Sequence, residues 1–226
     1  MTYRYALVSV LAMTLTASAV SQNYTLNLDL AFGSKYVFRG IQLADDVIHP
    51  SIEISQDDFY IGVWAAQPLE NRGWPEYWDD EVDFYGGYGW ALDEKTSVDI
   101  GGAYYYYPTG DSTLEPYLGI TREIQGVAAS LYLYRDLDLD TTTAEGAASY
   151  RVPVRGFASF DLKAFAGTVD ADRQGSYFYY GADVVLPFEL KDNATLSLGA
   201  HYSDHDLGNL VPDSHFYGSA SLTIGF

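Results

Sequence analysis

The sequence predicts an all-β fold: a single transmembrane antiparallel up-and-down β-barrel of about 12 strands, with both termini periplasmic. Three observations predict it. Apolar and polar residues alternate with period two along nearly the whole chain, the N-terminus reads as an export signal, and short connections alternate with longer ones.

The N-terminus sets the compartment. Residues 1–5 carry one charge, Arg4; residues 6–16 run apolar; Ala17-Ser18-Ala19 offers a small-residue cleavage site. The apolar run is too short to span a membrane, which takes about 20 residues. A signal peptide over residues 1–21 is expected, cut after Ala19 or Ser21, followed by one barrel domain over residues 22–226. The whole chain has 31 acidic against 12 basic residues, net −19, and loss of Arg4 takes this to −20 (−19 − 1). Such acidity excludes nucleic acid, whose binding needs Lys and Arg on phosphate. The absence of cysteine excludes disulfides and thiolate metal sites. Beyond the leader no stretch is apolar enough for a membrane helix, so a membrane form must be a closed barrel.

Each strand follows from its alternation. In residues 24–39 the even positions Tyr24, Leu26, Leu28, Leu30, Phe32, Tyr36 and Phe38 oppose Thr25, Asn27, Asp29, Lys35 and Arg39. A strand sends these two sets to opposite faces. Residues 48–55, 82–90, 97–107, 195–203 and 216–226 repeat the pattern clearly. Weaker versions occupy 59–67, 114–121, 127–136, 144–152, 160–168 and 178–186. Turn-like segments at 56–58, 93–96, 123–126, 153–156 and 189–193 are short. Those at 41–46, 69–80, 109–113, 137–142, 170–176 and 204–214 are mostly longer and rich in Asp, Gly, Asn or Pro, as external loops are. A soluble β-sandwich also alternates, but its outward face would be mostly charged. Here the polar face is small and glycine-rich, and aromatic residues gather at strand ends as interfacial girdles do.

The stretches S-K-Y-V-F-R-G-I (34–41), H-P-S-I-E (49–53), F-Y-I-G-V-W-A (59–65), E-V-D-F-Y-G-G-Y (81–88) and D-I-G-G-A-Y-Y-Y-Y-P (99–108) resemble the TorF-family porins, also called the Gcw_chp family. The match covers roughly the first half of the mature chain and carries no catalytic residue. It implies an outer-membrane channel passing small hydrophilic solutes. The terminal S-A-S-L-T-I-G-F resembles the closing strand read by the barrel-assembly machinery, with Phe226 last. Outer-membrane lipid and lipopolysaccharide are the other expected partners.

Parity assigns the pore-lining charges: Asp29, Glu53, Asp83, Asp99, Glu115, Asp136, Glu145, Asp161 and Asp183 against Lys35, Arg39, Arg151 and Lys163. Nine acids against four bases favour cations. Asp136, Asp138 and Asp140 have the start of an EF-hand loop, but Thr141 and Ala147 stand where Gly and Glu are required. The run reads instead as a continued inward face. No cofactor or metal set is expected. The rival class is a barrel hydrolase using His201, Ser203, Asp204, His205 or Asp206, in which His201 and Ser203 share a face; no nucleophile motif surrounds them, so no enzyme is expected. A non-conducting binding barrel is the other alternative.

Overall fold

The structure is a computed structural model that describes residues 24–70, 80–154, 158–171, 175–208 and 214–226. The expected signal peptide, and most of the 69–80 connection, lie outside the described residues.

Among the described residues there are twelve strands, in order β1 (Tyr24–Phe38), β2 (Ile41–Gln56), β3 (Phe59–Glu70), β4 (Glu81–Asp93), β5 (Thr96–Tyr106) and β6 (Thr113–Ile124), then β7 (Val127–Asp136), β8 (Thr141–Val154), β9 (Ala158–Ala171), β10 (Gly175–Lys191), β11 (Ala194–His205) and β12 (Ser214–Gly225). Each pairs antiparallel with its chain neighbour, and β1 pairs with β12 to close the barrel. Closure leaves no exposed sheet edge, which is what a sheet in hydrocarbon requires. The strands run from 10 to 17 residues, enough to cross a bilayer at a tilt.

Alternation then separates the faces. Leu30, Ile54, Ile61, Phe84, Ile100, Leu118, Leu131 and Leu198 are exposed on the outside. Aromatic groups frame this apolar band at both ends. At the end that holds the termini, Phe59 packs edge-on to Tyr88, and Tyr88 lies beside Trp90. At the distal end, Phe178, Tyr180, Tyr202 and Phe216 form a row of neighbouring rings. The buried apolar side chains are few and lie inside, the largest group being Ala44, Val47 and Ala66 against Tyr36 and Trp64. Phe226 is tied into the β1–β12 seam: it exchanges backbone hydrogen bonds with Leu26 at 2.8 and 3.1 Å.

Two expectations are overturned at the distal end. Residues 41–46 are not a connection but the first part of β2; the chain reverses at Arg39-Gly40 instead. Both turn residues have positive φ, 49° and 85°, the geometry that matches hairpin twist. Asp45 and Asp46 had the composition of a loop, but Ile41 and Ala44 pair with Phe38 and Tyr36 on β1. The inward face stops at Asp136, and Asp138 and Asp140 do not continue it. β7 ends at Asp136, whose carboxylate accepts the backbone N–H groups of Asp138 (3.0 Å) and Leu139 (2.7 Å) and so turns the chain.

Candidate functional site

The β1–β2 tip does not follow the barrel wall. Pairing of β1 with β12 stops at Gly33↔Ser219, while β1 stays paired to β2 to the turn. Two irregularities bend the hairpin. Asp46 adopts φ 45°, and the register passes from Tyr36↔Ala44 to Val37↔Gln42, leaving Leu43 as a bulged, buried residue. The tip therefore crosses the lumen. On one side Tyr36 packs on His49 and Trp64, and Phe38 meets Tyr105. On the other, Gly40 is pressed against β10 and β11: a Cβ there would stand 2.9 Å from that of Tyr179 and 3.0 Å from that of His205. Strict parity had turned Tyr36 and Phe38 outward into the girdle; the bend in the hairpin reverses this.

Arg39 anchors the tip. Its guanidinium donates to both oxygens of Glu115 on β6, at 2.7 and 2.8 Å, and lies over the rings of Phe38 and Tyr134. Tyr105 donates to the same carboxylate at 2.9 Å. Arg39 holds a left-handed φ that Asn or Gly would adopt more readily, so its place rests on this ion pair rather than on turn preference.

Four of the other eight acids expected in the lumen are held by hydroxyls. Tyr85 donates to Glu53 (3.0 Å), Tyr60 to Asp99 (2.9 Å), Tyr179 to Glu145 (2.8 Å) and Thr223 to Asp29 (2.6 Å). The Tyr60 and Tyr117 hydroxyls also touch. Asp83 is buried beside Glu81, which takes hydrogen bonds from Tyr36 and Tyr107. Asp161 forms a two-bond pair with Arg151, and Asp183 accepts from His201 Nδ1 at 2.8 Å. Lys35 stands opposite Asp45 in the ladder and has no ion pair among the described residues. Lys163 has none either; its amino group lies 5.0 Å from the Phe165 ring centre.

The tyrosines lie flat because glycines lie under them. Side chains at Gly62, Gly87, Gly101, Gly119 and Gly167 would overlap the rings of Tyr85, Tyr60, Tyr117, Tyr132 and Tyr179, which come from neighbouring strands. Gly181 makes the same room for Phe165. Large rings thus coat the wall without filling the lumen. A search for charges alone misses these hydroxyls and Glu81.

The pairing of His201 with Ser203 is not formed. Instead Asp183, His201 and Ser219 connect in that order across three adjacent strands, with His201 Nε2 2.8 Å from Ser219 Oγ. His201 stacks on Tyr217. Asp204 points away from this chain and accepts from Tyr180 and Tyr202. Beside the hairpin tip a cavity of about 260 Å³ is lined by Arg39, Glu145, Lys163, Phe165, Asp183 and Ser203, among others.

Comparison with solved structures finds the same architecture. The KdgM porin aligns with a TM-score of 0.60 at 9% identity, over 89% of this chain and 99% of the porin. The NanC porin aligns with a TM-score of 0.57 at 13% identity, over 88% and 98%. A bacterial polysaccharide outer-membrane secretin aligns with a TM-score of 0.52 at 10% identity, over 92% and 99%. At such identities the likeness is one of fold. No curated protein matches the chain. The profile of the Gcw_chp family, bacterial proteins of unknown function, matches residues 17–216, and the chain belongs to that family.

Proposed function

We propose that this protein is a porin-like channel of the bacterial outer membrane, of the TorF type, passing small hydrophilic solutes with a preference for cations. The observation that carries the reading is the lining. Within a closed, externally apolar wall, Asp29, Glu53, Asp99 and Glu145 are held by hydroxyl donors and not by bases. A hydroxyl donor orients a carboxylate without neutralising it, so the lumen keeps a negative field. Arg39 and Arg151 are each taken up by an acid and contribute little to offset it. In this reading the termini face the periplasm and the hairpin tip narrows the external half.

Single-channel recording of the refolded protein in planar bilayers tests this. Small conductance with cation selectivity is expected, and selectivity should fall as salt shortens the screening length from ~10 Å at 0.1 M to ~3 Å at 1 M. Changing Glu53, Asp83 and Asp99 together to Gln, Asn and Asn should move the reversal potential toward anions. A wild-type preference for anions would overturn the proposal. Assembly through the closing strand has its own test: deleting Phe226 should reduce folded barrel far more than Phe160→Ser, and equal losses would remove any special role for the last residue.

A second reading rests on the carboxylate–imidazole–hydroxyl order of Asp183, His201 and Ser219, the arrangement that activates a serine for acyl transfer. Labelling of Ser219 by a fluorophosphonate probe, lost in His201→Ala, would favour a hydrolase; an unlabelled wild type would eliminate it.

A further inference from the structure

We infer that the row of tyrosines on β3, β4, β6 and β7 is a binding track for solutes that carry a planar guanidinium group. The inference deepens the channel reading and relies on it for the route by which such a solute arrives.

The rings form one connected row. Tyr134, Tyr132 and Tyr117 are mutual neighbours, with centroids 5.8, 5.9 and 6.2 Å apart. The Tyr117 hydroxyl touches that of Tyr60, and the Tyr60 ring lies 6.4 Å from that of Tyr85. The row thus runs from the hairpin tip toward the end that holds the termini. Glycines set its attitude. The rings of Tyr132, Tyr117, Tyr60 and Tyr85 lie over Gly119, Gly101, Gly87 and Gly62, so one face rests on the wall and the other turns to the lumen. All five tyrosines are only partly buried. Among the described residues, no Lys or Arg lies over any of these four rings.

The fifth ring shows what the row accepts. The Arg39 guanidinium lies 4.9 Å from the Tyr134 ring centre while donating to both oxygens of Glu115. The face of an aromatic ring is the negative part of its quadrupole, and a planar cation stacks there. Ring and carboxylate recur further along the row with no cation between them. Asp99 takes the Tyr60 hydroxyl at 2.9 Å and stands 3.4 Å from that of Tyr132. Tyr85 donates to Glu53 Oε2, and Oε1 accepts no hydrogen bond among the described residues. A carboxylate has about four acceptor positions, so both acids keep capacity for N–H donors. Neither has an ion pair among the described residues. Arg39 is balanced by Glu115, so the charge left along the row is negative and favours a cation. A quaternary ammonium would meet the rings but has no N–H for the acids. A primary ammonium has donors but is compact and strongly hydrated. A guanidinium brings both a flat face and a fork of donors.

The test is calorimetric titration of the refolded full barrel in detergent at low salt, with agmatine as the probe. Putrescine, the same carbon chain with an ammonium in place of the guanidinium, is the comparison. Agmatine should bind saturably and about two- to fivefold more tightly than putrescine, the worth of one stacked cation at an open site. Tyr117→Leu should weaken agmatine binding by about the same factor, whereas Tyr117→Phe keeps the ring and should bind as wild type does. Asp99→Asn should weaken it about tenfold. Glu189→Gln, which removes an exposed acid outside the row, should leave it unchanged. If Tyr117→Leu does not refold, Tyr132→Leu serves in its place. Equal affinity for agmatine and putrescine overturns the guanidinium assignment. Leu variants that bind agmatine like wild type, or a Tyr117→Phe loss as large as that of Tyr117→Leu, overturn the ring track. The two readings fail separately. A barrel that binds agmatine but passes no current keeps the track and loses the channel; one that conducts without saturable agmatine binding keeps the channel and loses the track.

Discussion

Arg39-Gly40 and Gln125-Gly126 are nearly the same turn in opposite surroundings. Each is a two-residue hairpin connection with positive φ at both residues: 49° and 85° in the first, 53° and 85° in the second. Gln125-Gly126 caps β6 and β7 at the end of the barrel that holds the termini. A Cβ on Gly126 would meet only the Tyr150 ring, at an ordinary 3.6 Å. Arg39-Gly40 sits in the lumen, with Gly40 wedged against Tyr179 and His205 and Arg39 clasped by Glu115. The difference lies further down each hairpin. β6 and β7 keep an unbroken register from Tyr117↔Tyr134 to the turn, whereas β1 and β2 carry a bulge and lose β12 at Gly33. Local turn chemistry decides that a chain reverses; partners far away in sequence decide where the reversal ends up.

The largest effect is expected at the anchor. Arg39→Ala would leave Glu115, only 2% exposed, without its counter-charge, at a cost of about 3–5 kcal/mol in urea unfolding of the refolded barrel. The exposed pair Arg151–Asp161 supplies the contrast: Arg151→Ala should cost less than about 1 kcal/mol. Equal losses would show that the pair does not hold the tip.

Next in size is the glycine comparison. Gly126→Val should cost about 1 kcal/mol, from its left-handed backbone alone. Gly40→Val adds a clash worth about 1–3 kcal/mol, and the expected relief is displacement of the tip with a rise in single-channel conductance. Unchanged conductance in Gly40→Val would mean that the tip does not set the constriction.

The smallest effect separates turn preference from tertiary anchoring. Asn-Gly suits this turn better than either native pair, so Gln125→Asn should stabilise the barrel by less than about 1 kcal/mol. Arg39→Asn makes the same local improvement but forfeits Glu115, and should destabilise it. Stabilisation by both would make the two turns equivalent after all. Thermal unfolding midpoints of the two variants decide this.

What could be read from the chain follows from the geometry of a strand. Period-two alternation is a property of the extended backbone itself, so Leu28 against Asp29 or Phe84 against Asp83 already states which side faces apolar surroundings. The same rule placed Gly87, Gly101 and Gly119 inward, yet nothing local to Gly119 announces that Tyr132 of the next strand will lie across it. The hairpin shows the limit most clearly. Tyr36 and Phe38 continue the outward alternation of Phe32, and Asp45-Asp46 has loop composition, so an unbroken strand followed by a loop was the natural expectation. One bulge at Leu43 and one left-handed residue at Asp46 reverse it.

The sequence by itself therefore determined the strand count and the two faces of the wall, because both depend on spacing within one extended segment. Only the tertiary structure decided that Arg39 meets Glu115, that His201 joins Asp183 to Ser219, and that Ser203 and Lys163 border one cavity. Those contacts join strands brought together by closure of the barrel. The partner of Arg39 lies 76 residues away, a separation over which no local periodicity carries information.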